Sequence, residues 1–450
     1  MIKYIFALIP FFLISCTASK DESFTYFGGK IINPKDDHVI VFDDNEKVID
    51  SIELSKDNTF LGKLENIKSG LYYFKHGSEL QYVYLEPKDS LLLRLNTWDF
   101  DESLVFSGTN ATRNNLLIET FLSNEEQHRN FYKYYKLPAK EFKSKIDSLS
   151  TIKEAFLENY KLRSNETSEN FLSILKTALH YPLYTKLESF IIDNSLKAQP
   201  EVLDKSFISH RNVATLNNEN LMFYSPYRDY VYNNLYSDIY KQNIHDESDD
   251  FTIALLNAIN TKISSQKFKN NLLKKITIRH FYNKSSCIIN KKAFETFSSF
   301  STNEDDKKEI ALLLKDAKKI KKNTSIPDFK LNSPDGSKVS IHRVLKKRST
   351  AIYFRNKRFS SDSWVASRMN YLIHNNPEIQ FLVVNINDNK DEYIKDLGIK
   401  HQFYLNGDSE AHEFLTSKFP RMILVNDSGR VINGFCNLNS KKIENQIADL

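Results

Sequence analysis

The apolar residues of this chain change their spacing twice along its length, and this limits the chain to a succession of differently built regions. From residue 24 to about residue 107 they come in short β-branched and aromatic runs: Val39-Ile40-Val41-Phe42, Lys47-Val48-Ile49-Asp50-Ser51-Ile52, Gly70-Leu71-Tyr72-Tyr73-Phe74, Leu80-Gln81-Tyr82-Val83-Tyr84-Leu85 and Leu91-Leu92-Leu93-Arg94-Leu95. Turn-forming groups separate them: Asp43-Asp44-Asn45, Lys56-Asp57-Asn58, Lys68-Ser69-Gly70 and Pro87-Lys88-Asp89. Strands that recur about every eight to twelve residues with such punctuation predict a small antiparallel β-sandwich over residues 24–110. Past Ser107-Gly108-Thr109-Asn110 the apolar residues recur at i, i+3 and i+4 over residues 115–122, 142–160, 170–175, 250–263, 271–281 and 308–320. That spacing predicts a helical region over 111–322, with clusters such as Phe131-Tyr132-Lys133-Tyr134-Tyr135 read as core. A basic, polar stretch over 318–325 then gives way to alternating strands and helices from residue 326 to residue 450. The expected fold class is multidomain α+β.

With 450 residues, the chain is long enough for two or three cores. Its net charge of +5 comes from basic and acidic residues that are interspersed. No stripe of like charge forms, so a nucleic-acid partner is excluded. There is neither a phosphate-binding glycine loop nor a G-x-S-x-G elbow. His374, His401 and His412 have no metal-ligand spacing, and Asp43-Asp44-Asn45 lacks the spacing of a calcium loop. No metal and no cofactor is expected.

The first sixteen residues read as a processing signal. Lys3 supplies a short positive region, and the apolar run over residues 4–14 is too short to span a bilayer. It ends in Leu13-Ile14-Ser15-Cys16, which resembles the lipobox of bacterial lipoproteins. The resemblance implies cleavage before Cys16, acylation of that cysteine, and a tether over residues 17–23. More than one acyl chain gives stable anchoring. Lys20-Asp21-Glu22 in the tether is either a surface-export tag or a solvated spacer. The expected place is the cell envelope, lipid-anchored at the outer membrane facing the periplasm, with surface exposure left open. The membrane is thus one partner, reached through the N-terminal lipid.

Ile326-Pro327-Asp328-Phe329-Lys330-Leu331, followed by Pro334-Asp335-Gly336-Ser337 and a helix opening at Ser340, is similar to the entry of redoxin-type thioredoxin domains. In such domains a buried core strand follows, here Ala351-Ile352-Tyr353-Phe354, then a helix over about 361–375 and a second strand over 381–387. A cis-proline before the third strand matches Phe419-Pro420 ahead of Met422-Ile423-Leu424-Val425. A hairpin over 426–432 and a last helix from about Ser440 complete the pattern. The whole chain resembles lipoprotein thiol–disulfide interchange proteins of Gram-negative bacteria, which implies a thioredoxin-like fold over 326–450.

The resemblance fails where the chemistry would be. The loop Arg355-Asn356-Lys357-Arg358-Phe359-Ser360-Ser361-Asp362-Ser363-Trp364 holds no cysteine, and Phe359 and Asp362 fall where the C-x-x-C pair would sit. A dithiol enzyme needs a nucleophilic thiolate and a resolving thiol. Phe359, Ser360, Ser361 and Asp362 therefore form a degenerate active-site loop with no catalytic residue. Asp362 gains from the helix dipole, and Ser360 or Ser361 caps the helix. The expected function is a redox-inactive module that binds a peptide or an envelope protein in the groove of Phe359, Trp364, Phe419 and Pro420, with Arg355 and Arg358 adding charge. The alternative is a thiol–disulfide oxidoreductase or peroxidase-like enzyme acting through Cys436 or Cys287. These two cysteines are either bridged or two isolated thiols.

Overall fold

The computed structural model describes residues 24–450 except 45, 165, 247, 284–290, 346, 388–392, 396, 398–401 and 441. The signal at residues 1–16 with Cys16, the tether at 17–23, Cys287 and His401 lie outside the described residues. Two compact units result: one takes the chain to Tyr132 plus Glu154–Leu179, the other Lys133–Lys153 and His180–Leu450.

The first unit contains eight strands: β1 (Phe24–Ile32), β2 (His38–Phe42), β3 (Val48–Glu53), β4 (Thr59–Glu65), β5 (Gly70–His76), β6 (Glu79–Leu85), β7 (Ser90–Asn96) and β8 (Val105–Gly108). They form two four-stranded sheets, β4-β1-β7-β8 and β3-β2-β5-β6. Every second residue of β4 and β7 is buried, the alternation expected of sheets with one wet face. Phe27, Leu64 and Leu91 from one sheet meet Val41, Phe74 and Val83 from the other in a single core. The sandwich is not wholly antiparallel as the sequence led us to expect, because β1 and β7 pair in parallel. Between β4 and β7 the chain makes the β5–β6 hairpin of the other sheet, then re-enters the first sheet in the direction of β1. Gly29 makes that pairing possible. Its φ is +153°, and a Cβ there would lie 2.1 Å from the Leu93 carbonyl oxygen.

The helix α1 (Ala111–Phe131) is fastened to this unit by polar side chains. Asn114 accepts from the Tyr84 amide at 2.7 Å and donates to its carbonyl at 2.9 Å. Arg113 makes a forked pair with Glu166 at 2.7 Å and a further contact with Glu86 at 2.8 Å.

The helical stretch expected as one region is shared between the units. Both α2 (Ala139–Ser164) and α3 (Glu169–Ser195) contribute residues to each. The rest, α4 (Ser225–Tyr240), α5 (Asp249–Lys262), α6 (Gln266–Asn283), α7 (Lys291–Phe300) and α8 (Glu304–Lys319), belong to the second. Aromatic packing dominates there: Phe142 stacks on Phe190 at 4.1 Å, and Tyr181, Tyr184 and Tyr230 gather with His210. The cluster at 131–135, read as core, is core only at Phe131. Tyr132 points to solvent.

The second unit ends in β9 (Lys330–Asn332), β10 (Lys338–Ser340), α9 (Ile341–Leu345), β11 (Thr350–Arg355), α10 (Asp362–Asn375), β12 (Gln380–Asn385), β13 (Gln402–Tyr404), β14 (Arg421–Val425), β15 (Val431–Cys436) and α11 (Ile443–Ala448). These strands form one sheet in the order β10-β9-β13-β12-β11-β14-β15. Within it β11 runs parallel to β12, β14 antiparallel to β11, and β15 antiparallel to β14. This β12-β11-β14-β15 core, with a helix after the first strand and another after the last, is the thioredoxin arrangement. Every residue of β11 and β14 is buried, since the sheet is covered on both faces. Ile352 and Phe354 enter one core, and Ala351 and Tyr353 the other.

Candidate functional site

The chain leaves β11 at Arg355 and crosses a six-residue loop before α10 begins at Asp362. Of the two candidate caps, Ser361 is the one used: it is extended, and its hydroxyl accepts from the Trp364 amide. Asp362, in the first turn, accepts from Arg355. The Arg355 side chain has no solvent exposure and also reaches Asn385 at 3.3 Å. Arg355 was expected to bring charge to a binding groove. It is instead consumed beneath the helix start, because a buried guanidinium needs a carboxylate and a carboxylate there also satisfies the helix dipole. Arg358 remains exposed.

Beyond the loop lies a cavity of about 430 Å³, bordered by Phe359, Ser360, Ser361, Trp364 and Pro420. The structure thus brings together most of the residues named from sequence. Phe419 is displaced from the group: it is buried and packs its ring under Phe359 at 5.3 Å, so that Phe359 rather than Phe419 meets solvent. Asp362 faces Arg355 and is absent from the cavity wall.

The cis-proline expectation is corrected. No cis peptide occurs among the described residues, so the Phe419–Pro420 bond is trans, the isomer that X–Pro bonds favour by about 0.5–1 kcal/mol. The turn is made one residue earlier, where Lys418 has φ +55°. It is held from α8 by Asp316, a fully buried carboxylate. Asp316 accepts from the amide and hydroxyl of Thr416 at 2.8 and 2.6 Å, and from those of Ser417 at 2.9 and 2.6 Å.

Sequence reasoning missed the residue that closes the cavity. Tyr282, near the end of α6, donates its hydroxyl to the Pro420 carbonyl at 2.6 Å and packs its ring on Phe435 at 5.2 Å. Burial raises its phenol above the ordinary tyrosine range, so it stays protonated as a donor. Nothing local could have flagged it among 23 tyrosines, since its partner lies 138 positions away.

Cys436, at the end of β15, is fully buried with Met369, Leu372 and Ile443. It does not line the cavity. His412 bonds the Asn406 carbonyl at 2.8 Å. One group of ligand-type side chains, Asp36, Asp37 and His38, comes together on the sandwich surface, far along the chain from this loop. Among the described residues no helix is long and apolar enough to cross a membrane.

No protein family and no curated protein matches the chain. Solved structures do resemble it. The thioredoxin domain of a thiol-disulfide oxidoreductase from Bacteroides vulgatus is 18% identical, with 29% of this chain and 97% of that one covered and a TM-score of 0.24. A thiol:disulfide interchange protein from Bacteroides sp. is 16% identical over 29% and 91%, TM-score 0.24. A secreted disulfide oxidoreductase of Mycobacterium tuberculosis is 11% identical over 27% and 95%, TM-score 0.21. The fold assignment for this chain rests on its own strand order.

Proposed function

We propose that this protein is a lipid-anchored cell-envelope module that binds a polypeptide partner at the loop-and-Pro420 cavity and performs no thiol chemistry there. The observation that carries the reading is the composition of the cavity. The positions of a dithiol pair are taken by Phe359, which offers an exposed ring, and by Asp362, which is committed to Arg355. Exposed aromatic rings beside hydroxyl and amide side chains suit peptide capture, and they need no cysteine. The anchor would be Cys16, with the membrane as the second partner.

Binding of alkylated insulin B chain, which cannot exchange disulfides, tests the cavity. Phe359→Glu should weaken it at least tenfold by placing an unpaired charge against an aromatic wall. Equal binding by the variant would count against the site. For the anchor, Cys16→Ala should move the protein from the membrane to the soluble fraction.

A further inference from the structure

The walls of the cavity differ from what an added strand of peptide would need. Tyr282 already holds the Pro420 carbonyl, the backbone acceptor at the cavity edge. Tyr353 rises from β11, Asn437 and Asn439 come from the segment after β15, and Ser360 and Ser361 from the loop. With Phe359 and Trp364, these make a lining of hydroxyls, amides and aromatic rings. Among the described residues that border it, not one carries a charge.

The cations bonded near the cavity are already engaged, while Arg358 on the loop is exposed and borders no part of the lining. Arg368 donates to the Leu438 carbonyl at 3.3 Å and pairs with Glu444 at 3.2 Å. Arg355 is engaged by Asp362, and Arg421, fully buried, donates to the Phe414 carbonyl with its guanidinium 4.8 Å from the Phe435 ring. A charged group entering this space would lose water without meeting a counter-charge on the lining itself, which is costly. An amide would find donors and acceptors in the hydroxyls and asparagines. An aromatic ring would find Phe359 and Trp364. About 430 Å³ is ample for a large aromatic or carboxamide side chain together with its flanking peptide groups.

Resting on the reading above that the cavity binds polypeptide, we infer that it receives one uncharged side chain, aromatic or carboxamide, and does not take its partner as an added β-strand. The helical region supplies this selectivity through Tyr282, so the thioredoxin-like segment is only part of the site.

The chain has two tryptophans, Trp98 and Trp364. Trp98 is exposed on the sandwich unit, so Trp98→Phe leaves Trp364 as the sole reporter in the cavity. In that background the whole protein is titrated with acetyl-Gly-X-Gly-amide, where X is Phe, Gln, Lys, Glu or Gly. The Phe and Gln probes should shift Trp364 emission at concentrations at least tenfold lower than the other three. Tyr282→Phe, which frees the Pro420 carbonyl, should strengthen the all-glycine probe severalfold. Equal responses to charged and uncharged probes, or to Gly and Phe, would overturn the inference while leaving a peptide site in place. A silent Trp364 with all five probes, while alkylated B chain still binds in a Phe359-dependent way, would also overturn it alone. Silence together with no B-chain binding would remove the binding reading as well.

Discussion

Where α10 begins, a guanidinium with no exposure meets a carboxylate that is partly wet, and the energetics of that pair decide what the loop tolerates. Removing one partner of a buried pair strands the other charge, whereas replacing both with apolar groups is often neutral. Asp362→Ala should therefore cost about 2 kcal/mol, the loss being limited by the solvent around Asp362 and by the remaining bond to Asn385. The double change Arg355→Met/Asp362→Leu should cost less, and urea unfolding of the two variants checks the order. Gly29→Val should cost more than either, roughly 3 kcal/mol or above, because a Cβ at that position would collide with the backbone of β7. At this scale the sequence was readable in part. Phe359, Ser360, Ser361 and Trp364, named together from the sequence, border one cavity. The place of Arg355 was not legible, because a basic run after a strand looks the same whether its side chains are solvated or folded inward. Pro420 lies beside the cavity, but its bond is trans and the positive φ falls at Lys418, which no local pattern records.

Among the elements, α3 and α4 illustrate how a polar cluster can hide a helix. Glu188 of α3 is fully buried and accepts from His210 at 2.9 Å, from Arg211 at 2.5–2.7 Å, from Asn234 at 3.0 Å and from Ser237 at 2.5 Å. The residues α4 buries, Tyr227, Tyr230, Val231, Leu235 and Ile239, do recur at helical spacing. Asn234 and Ser237 buried among them and the tyrosines around the helix blunt its apolar contrast, and it was not among the stretches read as helical from sequence. Burial opposes ionisation of Glu188, but the bonds from His210, Arg211 and Ser237 outweigh it and hold the carboxyl at about 2. A group whose pKa is lower in the folded state stabilises above its unfolded value and loses that stabilisation as pH falls. The contribution, about 3 kcal/mol, should thus be intact above roughly pH 4.5 and fade toward pH 2. Glu188→Gln should flatten this part of the stability–pH curve, measured by urea unfolding between those limits. The thioredoxin-like strands, by contrast, were legible almost residue by residue. Strands buried on both faces leave continuous apolar runs, such as Ala351-Ile352-Tyr353-Phe354 and Met422-Ile423-Leu424-Val425. The three-residue strand β13 is too short to leave such a trace.

At the scale of the whole molecule, the two changes of apolar spacing announced a β unit, helices and a final stretch of alternating strands and helices, and the resemblance to redoxin-type domains supplied the thioredoxin-like order of that last stretch. They did not announce that helices would complete the site. Tyr282 of α6 and Asp316 of α8 both act on the segment around Pro420, one closing the cavity and the other fixing the turn that leads to it. Such contacts join residues about a hundred or more positions apart, and single-sequence patterns carry no information on them. Asp316→Asn keeps the shape but removes the charge that four donors share. It should lower stability by about 1–3 kcal/mol and weaken B-chain binding without changing the Phe359 contact itself. The account stands or falls on whether this fold works here without sulfur. The most direct measurement is turnover of insulin disulfides with dithiothreitol by the purified protein, beside Cys436→Ser and Cys287→Ser. The predicted result is a rate equal to the uncatalysed one for all three proteins. Turnover that disappears in either variant would contradict it and would make this an enzyme with a displaced thiol centre.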